Sequence, residues 1–302
     1  MAASGIAGGL GGGAMARMVA DSAALKTRYE TLLRQSGDGR VSDRYGDLAP
    51  QTRLSLDMKG EIARREATAE GISRALSRTE VAQKALSRFS DIASQFGALA
   101  NSLDSGKPTE TAAAAAAARS ALAEMGALLN ERSGGEYIFA GSDTANPPLP
   151  VADLGASGMA ARIRAAITAL APGADPAATL AETRDAALNP TAAETPFSAH
   201  LEGAGATEAR RSSLMDDGTA LPTGLWASRN TDAASGQPSW SRSLMRSLMT
   251  LAALPDAVDA TPEQVRAVLG DVRTSLRSAT SALALEEGTL GLTEAQLGSA
   301  PK

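Results

Sequence analysis

Three stretches of the chain repeat apolar residues at alternating spacings of three and four, which lays one continuous stripe along a helix and against a partner helix. In the second, Ile72, Ala75, Thr79, Ala82, Leu86, Phe89, Ala93, Phe96, Ala100 and Leu103 keep the alternation without a slip, and Leu76, Ile92 and Leu99 widen it. Leu54, Met58 and Ile62 carry the apolar face backwards at spacing four, toward a helix entrance after Pro50. The pattern predicts one helix from about Thr52 to Leu103, roughly 75 Å long at 1.5 Å per residue. The third stretch, Leu269, Val272, Leu276, Ala279, Leu283, Glu286, Leu290, Thr293 and Leu297, follows Thr261-Pro262-Glu263, which reads as a cap and then a proline at the first helical position. The first stretch, Met15, Met18, Ser22, Leu25, Tyr29 and Leu32, ends at Gly37 and Gly39.

Between these stripes the texture changes. Asp104, Ser105, Gly106 and Pro108 break the long helix, and Thr109, Glu110 and seven alanines, Ala112 to Ala118, open a second, antiparallel helix running to about Arg132. Glu136 to Ala140 is a short β-prone run between Gly134-Gly135 and Gly141, followed by the breaker Asn146-Pro147-Pro148. Ser157 to Ala171 and Asp175 to Leu188 read as short helices separated by Pro172-Gly173. Glu194 to Arg229 reads as two or three short strands with a turn at Asp216-Asp217-Gly218, before a helix from Trp240 to about Leu254 that Pro255 ends. The predicted fold is mainly α: an elongated antiparallel helical rod from residues 51–150 and 240–302, with a small α+β insert containing β-hairpins at 151–239. Residues 1–50 hold a flexible lead-in, including Gly5 to Gly13, and a terminal helix. The rod seam is assigned to Ile72, Leu86, Phe89, Phe96, Leu276, Leu283 and Leu290.

Composition agrees with seams rather than a deep pocket, because only 3% of residues are aromatic and much of the apolar content is alanine. Absence of cysteine removes disulfides and thiol chemistry. A net charge of −5 argues against nucleic acid as a partner, since phosphates demand positive charge. The N-terminus lacks the basic and apolar regions of a secretory signal, and the alanine run is far shorter than a bilayer span, so no membrane partner is expected.

Candidate chemistry is sparse. The one histidine, His200, has no second histidine or cysteine to form a metal site or triad. Asp216 and Asp217 read as turn residues, Gly11 to Arg17 lacks the Lys-Ser/Thr of a phosphate loop, and Arg64-Arg65 and Arg210-Arg211 read as solvated or salt-bridged pairs. The expectation is no catalytic site, no metal and no cofactor.

One segment carries a family likeness. Gly135-Glu136-Tyr137-Ile138-Phe139-Ala140-Gly141-Ser142-Asp143-Thr144, ending in Pro147-Pro148-Leu149, resembles the stretch that hook-filament junction proteins of the flagellin superfamily carry after the second helix of their rod domain. Glu70-Gly71-Ile72-Ser73 and the run Thr79 to Leu86 are also similar to that superfamily's pattern. Gly135, Tyr137, Ile138, Phe139, Gly141, Pro147 and Pro148 match the motif, which in the family forms a β-hairpin on the flank of the rod. Gly39 to Asp47 departs from it, lacking the usual Asp-Asp-Pro. The likeness covers roughly residues 15–150 and 240–297. It implies a hook-associated structural protein of the bacterial flagellum, exported unfolded by the type III apparatus and extracellular thereafter. The implied partners are the hook-side junction protein, flagellin, copies of itself in a ring, and an export chaperone. Flagellin itself and a non-flagellar secreted coiled-coil interaction protein are the alternatives. In the family, a C-terminal helix pairs with the N-terminal one; here the sequence ends at Lys302, so the stripe from Met15 to Leu32 is expected to lack a continuous helical partner, and the stretch from Met1 to about Arg40 to be mobile.

Overall fold

The structure, a computed structural model, describes residues 11–39, 52–103, 107–151, 153–231 and 239–299. The expectations for Gly5 to Leu10 and Gly39-to-Asp47 positions from Arg40 onward lie outside the described residues. The chain divides into two compact units, Met1–Glu66 and Ala67–Lys302.

The fold is mainly helical. Helices are α1 (Gly11–Asp38), α2 (Thr52–Ser102), α3 (Pro108–Leu129), α4 (Gly158–Thr168), α5 (Pro176–Leu188), α6 (Ala199–Glu202), α7 (Trp240–Ala253) and α8 (Pro262–Gly298). Two antiparallel hairpins accompany them: β1 (Arg132–Ser133) with β2 (Glu136–Tyr137), and β3 (Ser212–Leu214) with β4 (Ala220–Pro222). Gly11 to Gly13 are the first residues of α1, where the sequence suggested a flexible lead-in.

Local signals set the helix boundaries. Thr261 caps α8 by accepting from the Gln264 amide while the Gln264 side chain returns to the Thr261 N–H, and Pro262 takes the first helical position. Ser239 caps α7, Ser157 caps α4 and Asp175 caps α5, each accepting from a first-turn amide. Pro255 turns the end of α7 into a 3₁₀ turn, Leu254–Asp256.

Within the larger unit, Ile72 and Ala75 of α2 cluster with Leu297 of α8, the Gln83 amide nitrogen lies 3.5 Å from the Glu287 carbonyl, and Ala93 and Gly97 share a groove with Leu276 and Thr280. Position numbers rise on α2 as they fall on α8, so the two helices run antiparallel. α7 and α8 are antiparallel by the same test: the Ser275 hydroxyl donates to the Ser243 carbonyl at 3.2 Å, and Arg246 meets Asp271 at 2.5 Å. α3 folds back on α2, with Arg88 and Glu124 joined by two hydrogen bonds of 2.5 and 3.0 Å, and packs on α7, where Arg119 donates to the Ala252 carbonyl at 2.9 Å. Four helices therefore share one core, and every heptad position of α8 named above is buried.

α4 and α5 pack on each other and on α7, and α5 reaches α8. Their Met159, Ile163, Ile167 and Leu180 belong to the same core as Leu86, Leu244 and Leu276. The described part of the expected insert, residues 153–231, thus shares its core with the long helices, because the apolar faces of α4 and α5 pack on α7 and α8. The strand expectation for Glu194 to Arg229 holds only for β3 and β4, which turn through Gly218 at φ +84. Phe197 and Trp226 lie outside the strands, since Ser198 caps the short α6.

All 14 residues of α7 are buried, Arg242 and Arg246 among them. Arg242 donates to the carbonyls of Ser228 and Ala187 at 3.2 and 3.0 Å and to Glu202 at 2.5 Å, with its guanidinium 4.8 Å from the Phe197 ring centre. Arg246 donates to Thr183 on α5 and to Asp271 on α8, and Asp271 also meets Arg184. One arginine ties α7 to α5 and α6, the other to α5 and α8.

In the smaller unit, Met15, Met18, Leu25, Tyr29 and Leu32 of α1 are each more than half exposed, as are Leu54, Leu56, Met58 and Ile62 at the start of α2. The apolar face of α2 is buried only from Ile72 onward.

Removing a partner from a buried ion pair leaves an uncompensated charge, so Asp271→Ala should lower stability by about 3–5 kcal/mol in urea denaturation. Ala substitution in the exposed Arg88–Glu124 pair should hardly move the midpoint, and equal effects of the two would refute the role given to Asp271. Leu86→Asp should cost several kcal/mol by burying a charge without a partner.

Candidate functional site: the glycine-flanked hairpin and its supports

The motif segment begins where α3 ends. Asn130, the residue after α3, uses its side-chain amide to hold Leu149 twice, donating to its carbonyl at 2.9 Å and accepting from its N–H at 3.0 Å. This closes residues 130–149 into a loop. Gly134 and Gly135 form its two-residue hairpin turn with φ of +58 and +87, a conformation that side chains with a Cβ resist.

The assigned motif residues split into two roles. Tyr137 is half-buried, with the Arg132 guanidinium 4.7 Å from its ring centre. Ile138 and Phe139 are fully buried. Phe139 stands edge-on to Phe89 of α2 at 6.1 Å and to Trp240 of α7 at 6.4 Å, while Phe89 and Trp240 lie 4.8 Å apart. The seam residue Phe89 and the motif residue Phe139, assigned separately, meet in one aromatic trio. Pro148 is buried and its carbonyl accepts from Ser198, whereas Pro147 is half-buried. The other seam residues, Ile72, Leu86, Phe96, Leu276, Leu283 and Leu290, are all buried, Ile72 in a cluster of its own near Leu297.

Beyond Phe139 the chain pairs with residues 225–227. Ala140 bridges Trp226, the Gly141 N–H donates to the Leu225 carbonyl, and the Ala227 N–H donates to the Phe139 carbonyl. Gly141 has φ +65, and a Cβ there would come within 2.6 Å of the Trp226 indole and collide with Glu208. The absent side chain makes room for a polar knot. Glu208 accepts from the Trp226 indole N–H at 2.6 Å and from the Ser142 N–H and hydroxyl at 2.9 and 2.5 Å. His200 Nε2 lies 3.3 Å from both the Ser142 hydroxyl and Glu208. Burial alone would raise the Glu208 carboxyl, but the hydrogen bonds from Ser142 and Trp226 outweigh it and hold the group below its ordinary range.

Ser, His and Glu meeting in one place invites comparison with a catalytic triad. In a triad the carboxylate and the nucleophile occupy opposite nitrogens of the imidazole, so that one orients the ring and the other surrenders a proton. Here both meet the same nitrogen, and Ser142 also donates directly to Glu208. This geometry differs from that of a triad, and its hydrogen bonds tie the segment at Ser142 to those at His200 and Glu208. The sequence shows only that His200 lacks a second histidine or cysteine and gives no sign of this knot, in which His200 and Glu208 lie 58 and 66 residues from Ser142. The positive-φ glycine inside the motif is the one local hint of it. Among the described residues no three His, Asp or Glu side chains converge as a metal ion requires.

Among the described residues one helix, α3, is long and apolar enough by length and composition to cross a membrane. Its Ala118, Ala121, Leu122, Met125 and Leu129 belong to the shared core, and Arg119 and Glu124 are engaged with neighbouring helices, which fits a core helix of alanine-rich sequence.

Comparison with protein-family models, with curated proteins and with solved structures finds no match to this chain.

Gly141→Ala should destabilise the protein by about 1–3 kcal/mol through backbone strain, and should alter Trp226 fluorescence because the clash falls on the indole. An unchanged emission spectrum would contradict the assigned contact. The depressed Glu208 carboxyl adds stability that is fully present above its unfolded value, roughly 4.3, and is lost as pH falls through the lower folded value. Glu208→Gln should therefore flatten the acid side of the stability–pH curve.

Proposed function

We propose that this chain is a structural component of the bacterial flagellum, a hook-associated protein that joins the hook to the filament. The observation that carries the reading is the segment from Gly134 to Gly141, which follows an antiparallel helical pair directly, turns as a hairpin, and packs its Phe139 against Phe89 of α2 and Trp240 of α7. A hairpin after a helical pair is what the family resemblance implies, and this supports the reading. The rod part of the reading is supported by the antiparallel pairing of α2 with α8 along their heptad stripes.

Function then resides in surfaces rather than in a reaction. The exposed stripe of α1, from Met15 to Leu32, is an apolar face of a helix that elongated assemblies would cover by joining subunits. The partners under this proposal are the hook-side junction protein, flagellin and copies of the chain in a ring, reached after type III export with a chaperone. Flagellin is the second reading, favoured by the superfamily pattern at Gly71 to Leu86 but not by the Tyr-Ile-Phe-Ala-Gly and Pro-Pro-Leu signature. A secreted coiled-coil interaction protein would account for the heptads and leave the motif without a role.

Deleting the gene in its host should leave hooks assembled and filaments detached, with flagellin released into the medium. Normal filaments in the deletion strain would sink the proposal, and hooks bearing no secreted flagellin at all would favour the flagellin reading. In the isolated chain, amide exchange from Met15 to Leu33 should be fast and should slow when the hook-side partner is added, because an amphipathic helix gains most of its stability from a covered face. Slow exchange in the monomer would show that face already packed.

A further inference from the structure

A cleft of about 380 Å³ opens between α2 and the two hairpins, within the range of roughly 300–1,000 Å³ typical of ligand pockets. Arg74 and Arg78 reach it from α2, Arg211 from the segment before β3, and Glu136 from β2. Three guanidiniums thus face one carboxylate, a formal excess of +2. Both Arg78 and Arg211 are drawn to the same Glu136 oxygen, at 3.0 and 2.6 Å, and the second oxygen receives only a 3.5 Å contact from Arg211. Arg74 meets Glu70 at 3.6 Å on the exposed helix surface, where solvent screens the pair.

The charge imbalance registers inside the cleft. Burial first, and then the neighbouring positive charge of Arg211, hold the Arg78 guanidinium below the ordinary arginine range despite the opposing pull of Glu136. Glu136 is held below the usual carboxylate range, chiefly by its hydrogen bond from Arg211, so it remains ionised and cannot act as a proton donor to an entering anion. The edge of β3 adds backbone donors. The Thr223 N–H donates to Arg211 and the Met215 N–H to Thr219, which turns the N–H groups of residues 212 and 214 away from β4, and both residues line the cleft.

We propose that this cleft is an oxyanion site, binding a phosphate or carboxylate group through Arg74, Arg211 and the outer edge of β3, with buried Arg78 as the fixed charge behind them. Guanidinium forks match both oxyanions, so one site serves a free ion or an acidic side chain of a protein partner. The inference is independent of the flagellar reading: it rests on the cleft alone.

Gly71 lines the same cleft, and a Cβ built on it meets nothing within 4 Å. Gly71→Glu therefore places a competing carboxylate in the site while leaving all three arginines and both hairpins in place. Inorganic phosphate, and separately acetate, should be titrated into the full-length ¹⁵N-labelled chain at constant ionic strength held with chloride. The arginine Nε–H signals of Arg74 and Arg211 and the amides of Ser212 and Leu214 should shift along saturable curves. Saturation should be lost in Gly71→Glu and weakened in Arg74→Gln, with the remaining spectrum of each variant unchanged. Phosphate binding at least tenfold tighter than acetate would identify a phosphate source, and the reverse or near-equality a carboxylate source. Shifts that never saturate, that spread over the whole surface, or that persist undiminished in Gly71→Glu would overturn the proposal.

Discussion

A helix enclosed by protein on every side must find internal partners for each charge it carries, and α7 carries two. A guanidinium cannot shed its proton at physiological pH, so burial obliges neighbouring elements to supply acceptors at fixed places. Arg242 takes carbonyls from the chain before α7 and from the last turn of α5 together with Glu202, and Arg246 takes Thr183 and Asp271. These demands determine where α5, α6 and α8 sit around α7. The hydrophobic contacts among the same helices are generous about exact position, whereas hydrogen bonds to a buried cation are not.

Much of the helical architecture was legible from spacing alone. α2 and α8 begin and end within a residue or two of where heptads and caps put them, because a stripe of period 3.5 and a Thr-Pro entrance are local properties of the chain. α7 shows where that legibility stops. Arginines at positions 242 and 246 among serines look like the wet side of an amphipathic helix, and nothing nearby says otherwise. Their acceptors arrive from segments as many as 63 residues away in sequence, so their burial is a property of the assembled core and not of the helix. The same distance hid the association of α4 and α5 with the long helices. Leu54, Met58 and Ile62 illustrate the opposite error of reach, since periodicity identifies a face but not whether anything covers it.

The motif segment was readable as a turn-rich β element, and its glycines have separate reasons. Gly134 and Gly135 permit the turn itself. Gly141 permits a neighbour: its missing side chain is the space into which Glu208 and the Trp226 indole close. Only the first reason follows from the adjoining residues. The second needs a partner that the chain supplies more than sixty positions later, which is why the Ser142–His200–Glu208 knot was invisible beforehand. Its geometry also shows that residue type alone does not define a triad, since the serine and the carboxylate here meet the same imidazole nitrogen.

The alanines of α3 carry a mechanical consequence. Ala115, Ala118 and Ala121 lie on the buried face at spacings of three, so a lengthwise shift of α3 by that step replaces alanine with alanine and meets no steric stop. Such a surface is smooth along its axis, and loses no side-chain freedom when it packs. What arrests sliding is the far end of the helix, where Leu122, Met125 and Leu129 occupy shaped sites in the core, together with the tethers from Arg119 to the Ala252 carbonyl and from Glu124 to Arg88. A tensile load along α3 would consequently concentrate on its last two turns, leaving the alanine stretch as a low-friction sleeve.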